Sequence, residues 1–325
     1  MLNRSNGNLL LLGLLTGALF AAVFWLRIRY NVASDMRVAI LSELRRAAPS
    51  LDLRIAALLS LGVLVACHIF LLTAFVPNLY LNYLTPVVYH NPTQQMNKLF
   101  ALLIWFMYLR EFWGKAHRTP LVGILLAICC ILSALAKPSF LIAFLPVTGL
   151  VAGYRWLNGD WRHFRDYALA IAVASSAVLL WQFSTEYGSA SEGGIRLEPF
   201  ALFASAQYVL MLPLSLAFPI VTLASLWTRS SNDIGTKLAW GLMAIGLLFA
   251  FLLVEDGPNR EAGNFLWTAQ TGAFILYVQS LLVTAAAYAK GETRARWPLA
   301  VLGIHVLCGL IFILANVLVP DQIWR

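Results

Sequence analysis

A charged stretch from Glu255 to Trp267 holds the densest set of side chains in this 325-residue chain that are able to do chemistry. Its carboxylates, Glu255 and Asp256, precede Arg260, and Asn264 follows where the next apolar run begins. Carboxylates beside an arginine bind sugar hydroxyls or a phosphate, and the ring of Trp267 offers a face for a sugar. A solvated loop with local ion pairs is the alternative. Because the polar pattern continues one turn into the apolar run, we favour a binding site.

Lys137 is a second candidate, since it lies alone between two apolar runs. It directly precedes Pro138, a residue suited to the first turn of a helix. An ammonium at the membrane surface, beside the free N–H groups of a helix start, suits the phosphate of a lipid-linked substrate. An interfacial lysine whose stem lies along apolar surface fits this position equally well.

His90 and Asn91 stand near the end of an uncharged segment, residues 77–95, which contains three prolines and is too broken for a regular span. The segment is typical of a loop or a re-entrant element, which membranes tolerate only where protein or a wet cavity covers the backbone. His90 is able to donate to a phosphate or act as an acid or base. Taken alone, we favour the simpler interpretation, in which the two residues cap the next helix.

Asp35 opens a fourth polar segment, which ends at Arg46 and carries apolar residues at 38, 40, 41 and 44 among charges. This spacing predicts a short helix lying in the membrane interface. As a polar residue at the start of that helix, Asp35 would serve as its cap.

The elements that must position these residues follow from the composition, which is 60% hydrophobic and only 12% charged. Soluble domains are charged at about a quarter of their residues, so the main partner of this chain is a bilayer. The net charge of +8 arises from Lys and Arg residues between apolar runs, which set membrane orientation and do not indicate nucleic-acid binding. All four cysteines lie inside apolar runs without metal-type spacing, and we expect buried thiols.

The predicted fold class is all-α, a polytopic transmembrane helix bundle of about ten spans without a soluble domain. Residues 1–325 would form one integral membrane domain, in which 1–96 carry the interfacial helix and the polar loop and 97–325 form a regular bundle. The predicted spans are 8–26, 55–76, 97–112, 119–136, 138–154, 167–184, 203–227, 237–254, 265–288 and 297–318.

Connector charges predict the orientation of these spans, because cytoplasmic loops are enriched in Lys and Arg. The basic connectors are those carrying Arg110, Lys115 and Arg118, then Arg155, Arg162 and Arg165, then Arg229 and Lys237, then Lys290, Arg294 and Arg296. The connectors at His90, Lys137 and Glu255 then face outward, and we expect them to converge on one external cavity. The connector 27–54, with Asp35, falls inside unless residues 55–89 hold two short crossings.

The order of these features resembles the multispanning glycosyltransferases of the GT-C superfamily. The resemblance rests on Ser34-Asp35 before an amphipathic stretch, His90-Asn91-Pro92-Thr93 before a span, Lys137-Pro138 between spans, and the acidic loop running into Gly263-Asn264-Phe265-Leu266-Trp267. Members of this superfamily typically move a sugar from a polyprenyl-phosphate carrier to a lipid, glycan or protein acceptor on the non-cytoplasmic side.

The resemblance implies roles for particular residues. Asp35 would be the catalytic base or the group that orients the acceptor, Lys137 and Arg260 would bind the carrier phosphate, and His90 with Asn91 would form the pocket wall. We expect no cofactor and no structural metal, because adjacent Glu255 and Asp256 side chains diverge, although some relatives require a divalent metal. The expected location is the cell membrane, as a multi-pass protein of the bacterial inner membrane.

Two other classes of function stay open. A transporter or flippase for a lipid or amphiphile often places paired charges within its spans and repeats its hydropathy pattern. Here the predicted spans carry almost no ionisable residues apart from His68 and His305, and no repeat is visible. A noncatalytic membrane subunit of an envelope-assembly complex would fit the compact loops. Substitution of Lys137, Arg260 or Asp35 separates an enzyme from a scaffold.

Overall fold

The computed structural model describes residues 32–69, 92–113, 119–187, 194–201, 207–256, 260 and 263–318. Within these ranges the chain is mainly helical, as predicted, with one two-stranded ribbon in addition. Five described helices are long and apolar enough to cross a membrane, which fits a membrane protein. They span Ser139–Leu157, Trp161–Thr185, Ile234–Leu252, Asn264–Ala289 and Thr293–Leu314. The predicted span 8–26 lies outside the described residues.

Helices of the first half follow the apolar runs of the sequence. They are α1 over residues 32–47, α2 Leu53–Val65, α3 Pro92–Trp113, α4 Pro120–Ala136, α5 Ser139–Leu157 and α6 Trp161–Tyr167, which continues through a π-helical turn, Ala168–Ala172, into α7 Val173–Tyr187. Side-chain caps start several of them, because Asp52, Thr119 and Asp160 accept hydrogen bonds from the first-turn N–H groups of α2, α4 and α6.

The second half begins with a short strand and ends with the longest helices. Its elements are β1 Ile195–Leu197, α8 Gln207–Ser215, α9 Ala217–Ser225, α10 Trp227–Asn232, α11 Ile234–Leu252, β2 Leu253–Glu255, α12 Asn264–Ala289, a 3₁₀ turn Thr293–Ala295 and α13 Arg296–Leu318. The strands pair antiparallel, with Ile195 opposite Glu255 and Leu197 opposite Leu253.

Helix α12 stands at the centre of the bundle, because nearly all of its side chains are buried and it contacts α2, α3, α5, α9, α11 and α13. Two glycines bring α11 and α12 together. A Cβ at Gly246 would lie 2.8 Å from the Cα of Ala269, and one at Gly272 would lie 3.2 Å from the carbonyl oxygen of Leu242. Small residues at a helix interface let two backbones approach closely, so this pair packs tightly without interposed side chains.

The connectors separate onto two ends of the bundle. At the end that carries the basic connectors, which we call the basic end, Arg229 pairs with Glu292. Gln279, in the second half of α12, donates to Asp233 before α11, at 2.8 Å. The opposite end, which we call the Lys137 end, gathers the start of α3, the α4–α5 turn, the ribbon and the start of α12. This division matches the charge pattern from which the orientation was predicted.

Helix α1 forms as expected and has one buried face, made by Val32, Met36, Ile40 and Leu44. Its Glu43 pairs with Arg110 near the end of α3, so α1 is attached at the basic end. The exposed face carries Asp35 and Arg37, and also Val38, which the spacing assigns to the apolar side. Because the helix already includes residue 32, the expectation that Asp35 caps it is wrong.

Two predicted spans, 55–76 and 203–227, are interrupted in the structure. Helix α2 ends at Val65, and Leu216 separates α8 from α9. Both interruptions lie against the same part of the bundle. At the first, the N–H of Cys67 donates to the His305 carbonyl at 3.0 Å, and His305 Nδ1 lies 2.6 Å from the Cys67 carbonyl.

Tyr277, midway along α12, completes this meeting point by donating its hydroxyl to the Ser215 carbonyl at 2.6 Å. Its oxygen also lies 3.2 Å from His305 Nε2. We name Cys67, Ser215, Tyr277 and His305 the Tyr277 crossing. Backbone groups freed by a broken helix need new partners in an apolar interior, and these side chains supply them.

Candidate functional site

Four elements bring the predicted polar residues together at the Lys137 end: the α4–α5 turn, the ribbon, and the first turns of α3 and α12. Lys137 Nζ lies 4.1 Å from the ring centroid of Trp267. An ammonium over an indole face is attracted by the ring quadrupole, most strongly where water is excluded. Lys137 and Trp267, which are far apart in the sequence, therefore contact each other. We take this contact as the centre of the candidate site.

Local geometry explains why Lys137 is presented here. Helix α4 stops at Ala136 and the backbone of Lys137 is extended, while its N–H still donates to the Ser133 carbonyl at 2.9 Å. Pro138 follows, and the residue before a proline is restricted to extended conformations. The lysine side chain is thus directed from a fixed turn between two helices rather than from a flexible loop.

Trp267 is positioned by the start of α12. Gly263, just before that helix, has φ of +63°, a left-handed conformation that glycine adopts without steric cost. Asn264 begins the helix and donates to Glu255 Oε2 at the end of β2, which connects the helix start to the ribbon. The carboxylate, the amide and the indole therefore hold a fixed relation to one another.

The environment of Lys137 alters its titration. Partial burial lowers the pKa of this lysine to about 8, and the nearby charge of Glu255 opposes part of that shift. Desolvation disfavours the ammonium, because the charged form loses hydration. A phosphate group arriving at this site would add negative charge to that which Glu255 already places near the half-buried ammonium.

The ribbon carries two ion pairs beside this centre. Arg260 donates to Glu198 at 2.6 Å, and this hydrogen bond raises the pKa of the arginine above its ordinary value. Arg196 pairs with Asp256 at 2.5 Å. All four side chains are at least partly exposed. Two connectors that are distant in sequence therefore contribute to one charged rim, Arg196 and Glu198 from the first and Asp256 and Arg260 from the second.

A buried polar layer lies under this rim, and the sequence analysis did not identify it. Gln94 donates to Thr271 Oγ1 at 2.6 Å and to the Trp267 carbonyl at 3.3 Å. Ser133 donates to Asn97 Oδ1 at 2.8 Å, and the Nδ2 of that asparagine is buried without a hydrogen-bond partner. Buried amide groups that lack a partner are costly, so this layer is suited to receive further acceptors.

Lys98 lies deeper in the same region. Its side chain is fully buried, and Nζ lies 5.3 Å from the ring centroid of Phe274. Trp267 and Phe274 are two turns apart on α12, about 10 Å along the axis. Two lysines therefore lie over two aromatic rings of one helix, Lys137 near the surface and Lys98 in the interior.

A signal for this layer is present in the sequence. Gln94, Asn97 and Lys98 have the spacing of one helix face, and buried Ala101 and Trp105 continue it. Gln94 lies in the segment that we assigned to a loop, whereas Asn97 and Lys98 lie inside the predicted span 97–112. The expectation that the spans hold almost no ionisable residues apart from His68 and His305 is therefore wrong at Lys98.

The other predicted site residues are not all part of this cluster. His90 and Asn91 lie outside the described residues. Asp35 is exposed on α1 and is eight residues, about 12 Å, from Glu43, which pairs with Arg110. Gln94 and Arg110 are sixteen residues apart on α3, about 24 Å. The structure therefore does not bring Asp35 to Lys137, and its catalytic role stays a prediction.

The chemistry available at the cluster is that of anion and hydroxyl binding. Lys137 and Arg260 supply cations, Glu255 a carboxylate, and Asn264 and Trp267 an amide and an aromatic face. Within the described part of the chain, no group of three or more His, Cys, Asp or Glu side chains is placed to hold a metal ion.

Comparison with known proteins adds no assignment. No protein-family model, no characterised protein and no solved structure matches this chain. The geometry at the Lys137 end is accordingly the basis for a functional conclusion.

Proposed function

We propose that this protein is a membrane glycosyltransferase that moves a sugar from a polyprenyl-phosphate carrier to a lipid, glycan or protein acceptor on the non-cytoplasmic face. The observation that carries the proposal is the half-buried ammonium of Lys137 over Trp267, beside Glu255 and Asn264. The proposed location is the bacterial inner membrane, with the basic end on the cytoplasmic side.

Position and charge both favour a lipid-linked phosphate as the donor. Lys137 lies at the junction of two apolar helices, where a phosphate reaches it while a polyprenyl tail stays in hydrocarbon. Trp267 presents an indole face close to that ammonium, and aromatic faces stack on sugar rings. An amphiphile with a sugar, a phosphate and a long apolar tail is complementary to this combination.

The reaction would join the acceptor oxygen to the anomeric carbon of the sugar and break the bond from that carbon to the phosphate oxygen. A carboxylate accepts the proton of the acceptor hydroxyl, and the polyprenyl phosphate leaves with the electron pair. Lys137 and Arg260 stabilise the charge that develops on the leaving phosphate. The reaction is balanced without an oxidant or a further reactant.

Two carboxylates are candidates for the base. The GT-C resemblance assigns the role to Asp35, whereas position favours Glu255, which is near Lys137 and is held by Asn264. The variants Asp35→Asn and Glu255→Gln keep side-chain size and remove the base. Only the variant that lacks the true base should lose transfer while still binding the donor.

A transfer assay in proteoliposomes with labelled polyprenyl-phosphate sugars tests the proposal. Lys137→Ala should lower transfer by about 100-fold, because one preorganised cation no longer stabilises the leaving group. Lys290→Ala is the matched control, since that lysine is exposed at the opposite end of the bundle. Equal transfer by the Lys137→Ala variant and the wild type, with both proteins folded, would contradict the assignment.

One observation favours a second candidate, a transporter or flippase. Helices broken midway, with buried polar side chains at the break, are typical of transporter binding sites, and the Tyr277 crossing has this form. The same proteoliposomes distinguish the two functions. A transporter moves labelled lipid between leaflets without forming a new glycosidic bond, and substitution at Tyr277 would then abolish movement while Lys137→Ala would not.

A further inference from the structure

The two faces of the chain segment 195–198, which includes strand β1, differ in polarity. Successive side chains of a strand point to opposite sides. Arg196 and Glu198 point to one face, where each forms an ion pair. Ile195 and Leu197 point to the other face, where both side chains are exposed, Leu197 to 72%. The charged face of this segment is therefore held by the protein, whereas its apolar face is turned to the surroundings.

Helix α11 defines the depth of this apolar face relative to a membrane. The helix has 19 residues. Its length is thus about 28 Å, close to the thickness of a hydrocarbon core, about 30 Å. Strand β2 follows α11 without a linker and therefore begins at the membrane boundary of the Lys137 end. Leu197 lies opposite Leu253, the first residue of β2, so its side chain is at that boundary.

After Leu197 the chain returns along the last turn of α11. The N–H of Glu198 donates to the Leu252 carbonyl at 2.9 Å. The N–H of Phe200 donates to the Phe251 carbonyl at 2.7 Å, and the centroids of these two rings are 5.6 Å apart. Phe200 is nevertheless 55% exposed, and Leu248, one turn earlier on α11, is exposed as well. An exposed apolar surface therefore continues from a membrane-spanning helix onto the ribbon.

We propose that Leu197 and Phe200 insert among the acyl chains of the leaflet at the Lys137 end, so that the ribbon lies in the membrane interface. Lipid is the occupant that this continuity favours, because α11 is long and apolar enough to cross a membrane. Burial of the two apolar side chains in hydrocarbon is favourable, whereas water would leave them solvated. Since Glu255 lies opposite Ile195 in the ribbon, the insertion also fixes the depth of that carboxylate. The surface is independent of the glycosyltransferase proposal, because it follows from exposure and depth alone.

Fluorescence quenching in liposomes tests the proposal. The full chain, with its native cysteines replaced by alanine, receives Leu197→Cys, Phe200→Cys or the control Arg196→Cys, and each new thiol carries an environment-sensitive fluorophore. A nitroxide on the acyl chain of phosphatidylcholine should quench the label of Leu197→Cys about threefold more than that of Arg196→Cys, because the two side chains point to opposite faces. Iodide in the water should quench them in the reverse order. Phe200→Cys should respond best to a nitroxide placed deeper in the chain, and thermal unfolding verifies that each variant is folded.

Two results would overturn the proposal. Equal nitroxide quenching of Leu197→Cys and Arg196→Cys would show that the ribbon stands in water above the membrane. A disulfide between two chains that carry unlabelled Leu197→Cys, together with weak nitroxide quenching, would identify a second copy of this protein as the occupant. Leu197→Cys changes an exposed side chain, so the comparison with Arg196→Cys decides the question even if Phe200→Cys does not fold.

Discussion

The Lys137 cluster at one end of the bundle and the Tyr277 crossing at its centre both place polar side chains among apolar helices. At the crossing, Tyr277 and His305 are fully buried, and their partners include the backbone carbonyls of Ser215 and Cys67. In the cluster, Lys137 and Trp267 are partly exposed, and Asn264 donates a hydrogen bond to Glu255. The first region satisfies groups that helix breaks release, whereas the second leaves charged and polar side chains partly exposed.

The difference separates a structural polar site from the site that we propose binds a ligand. A network of neutral groups stabilises the fold where released carbonyls find donors, as the Ser215 carbonyl does in Tyr277 and the Cys67 carbonyl does in His305. A half-buried cation costs desolvation energy, which Glu255 and the Trp267 ring offset in part and an incoming anion would offset further. Changes at the crossing should therefore alter stability, and changes at the cluster should alter binding or activity.

The largest effect is expected from Gly309→Ala, which closes the space at the crossing. A Cβ there would lie only 1.8 Å from the Val65 carbonyl oxygen, so α2 and α13 must move apart. We expect the free energy of unfolding to fall by about 3 kcal/mol, as for an overpacked core. Thermal unfolding in detergent measures this, and Gly303→Ala is the control, since nothing lies within 4 Å of its added Cβ.

Equal stability of the Gly309→Ala and Gly303→Ala variants would show that the helix break at Val65 is not held at close range. The conclusion that the Tyr277 crossing stabilises the fold would then be wrong.

A smaller loss of stability is expected from Tyr277→Phe. This change removes the hydroxyl that donates to Ser215, and the buried carbonyl loses its donor. We expect a decrease of about 2 kcal/mol in the free energy of unfolding. Glycosyl transfer per folded molecule should stay at the wild-type level. A fall in transfer without a fall in stability would instead assign the crossing to function.

The smallest effect is expected from pH, and it concerns the cluster alone. Lys137 is an ammonium below its pKa of about 8 and neutral above it. Donor phosphate binding should therefore weaken as the pH rises, with about tenfold less ammonium at pH 9 than at pH 7. Lys137→Arg should remove this dependence, because arginine keeps its charge. Equilibrium binding of a polyprenyl phosphate across this range measures the effect, and a flat wild-type profile would contradict it.

The sequence predicted the regular helices well because their ends carry local signals. The predicted spans 119–136 and 265–288 correspond to α4, Pro120–Ala136, and α12, Asn264–Ala289. Thr119 with Pro120 marks the first, and Gly263 marks the second. In these segments the apolar run, the cap and the turn residue all indicate the same boundary.

The features that the sequence did not predict depend on contacts between residues far apart in the chain. The interruption after Val65 depends on the His305 carbonyl and on Gly309, both in α13, far along the chain. The pairing of β1 with β2 joins two connectors that have no local strand signal. For the site, the convergence of Lys137 and Glu255 was predicted from their common side, but the contact with Trp267 and the buried Lys98 required the packing around α12.

Close packing of α11 on α12 also determines which parts of the candidate site are independent of loop length. Strand β2 follows α11 without a linker, so Glu255 is attached to one member of this pair and Trp267 to the other. Their separation is set by Gly246 against Ala269 and not by residues 257–262, which join them in sequence. A change in the length of that loop should therefore move Arg260, which the loop carries, while Glu255 and Trp267 keep their spacing.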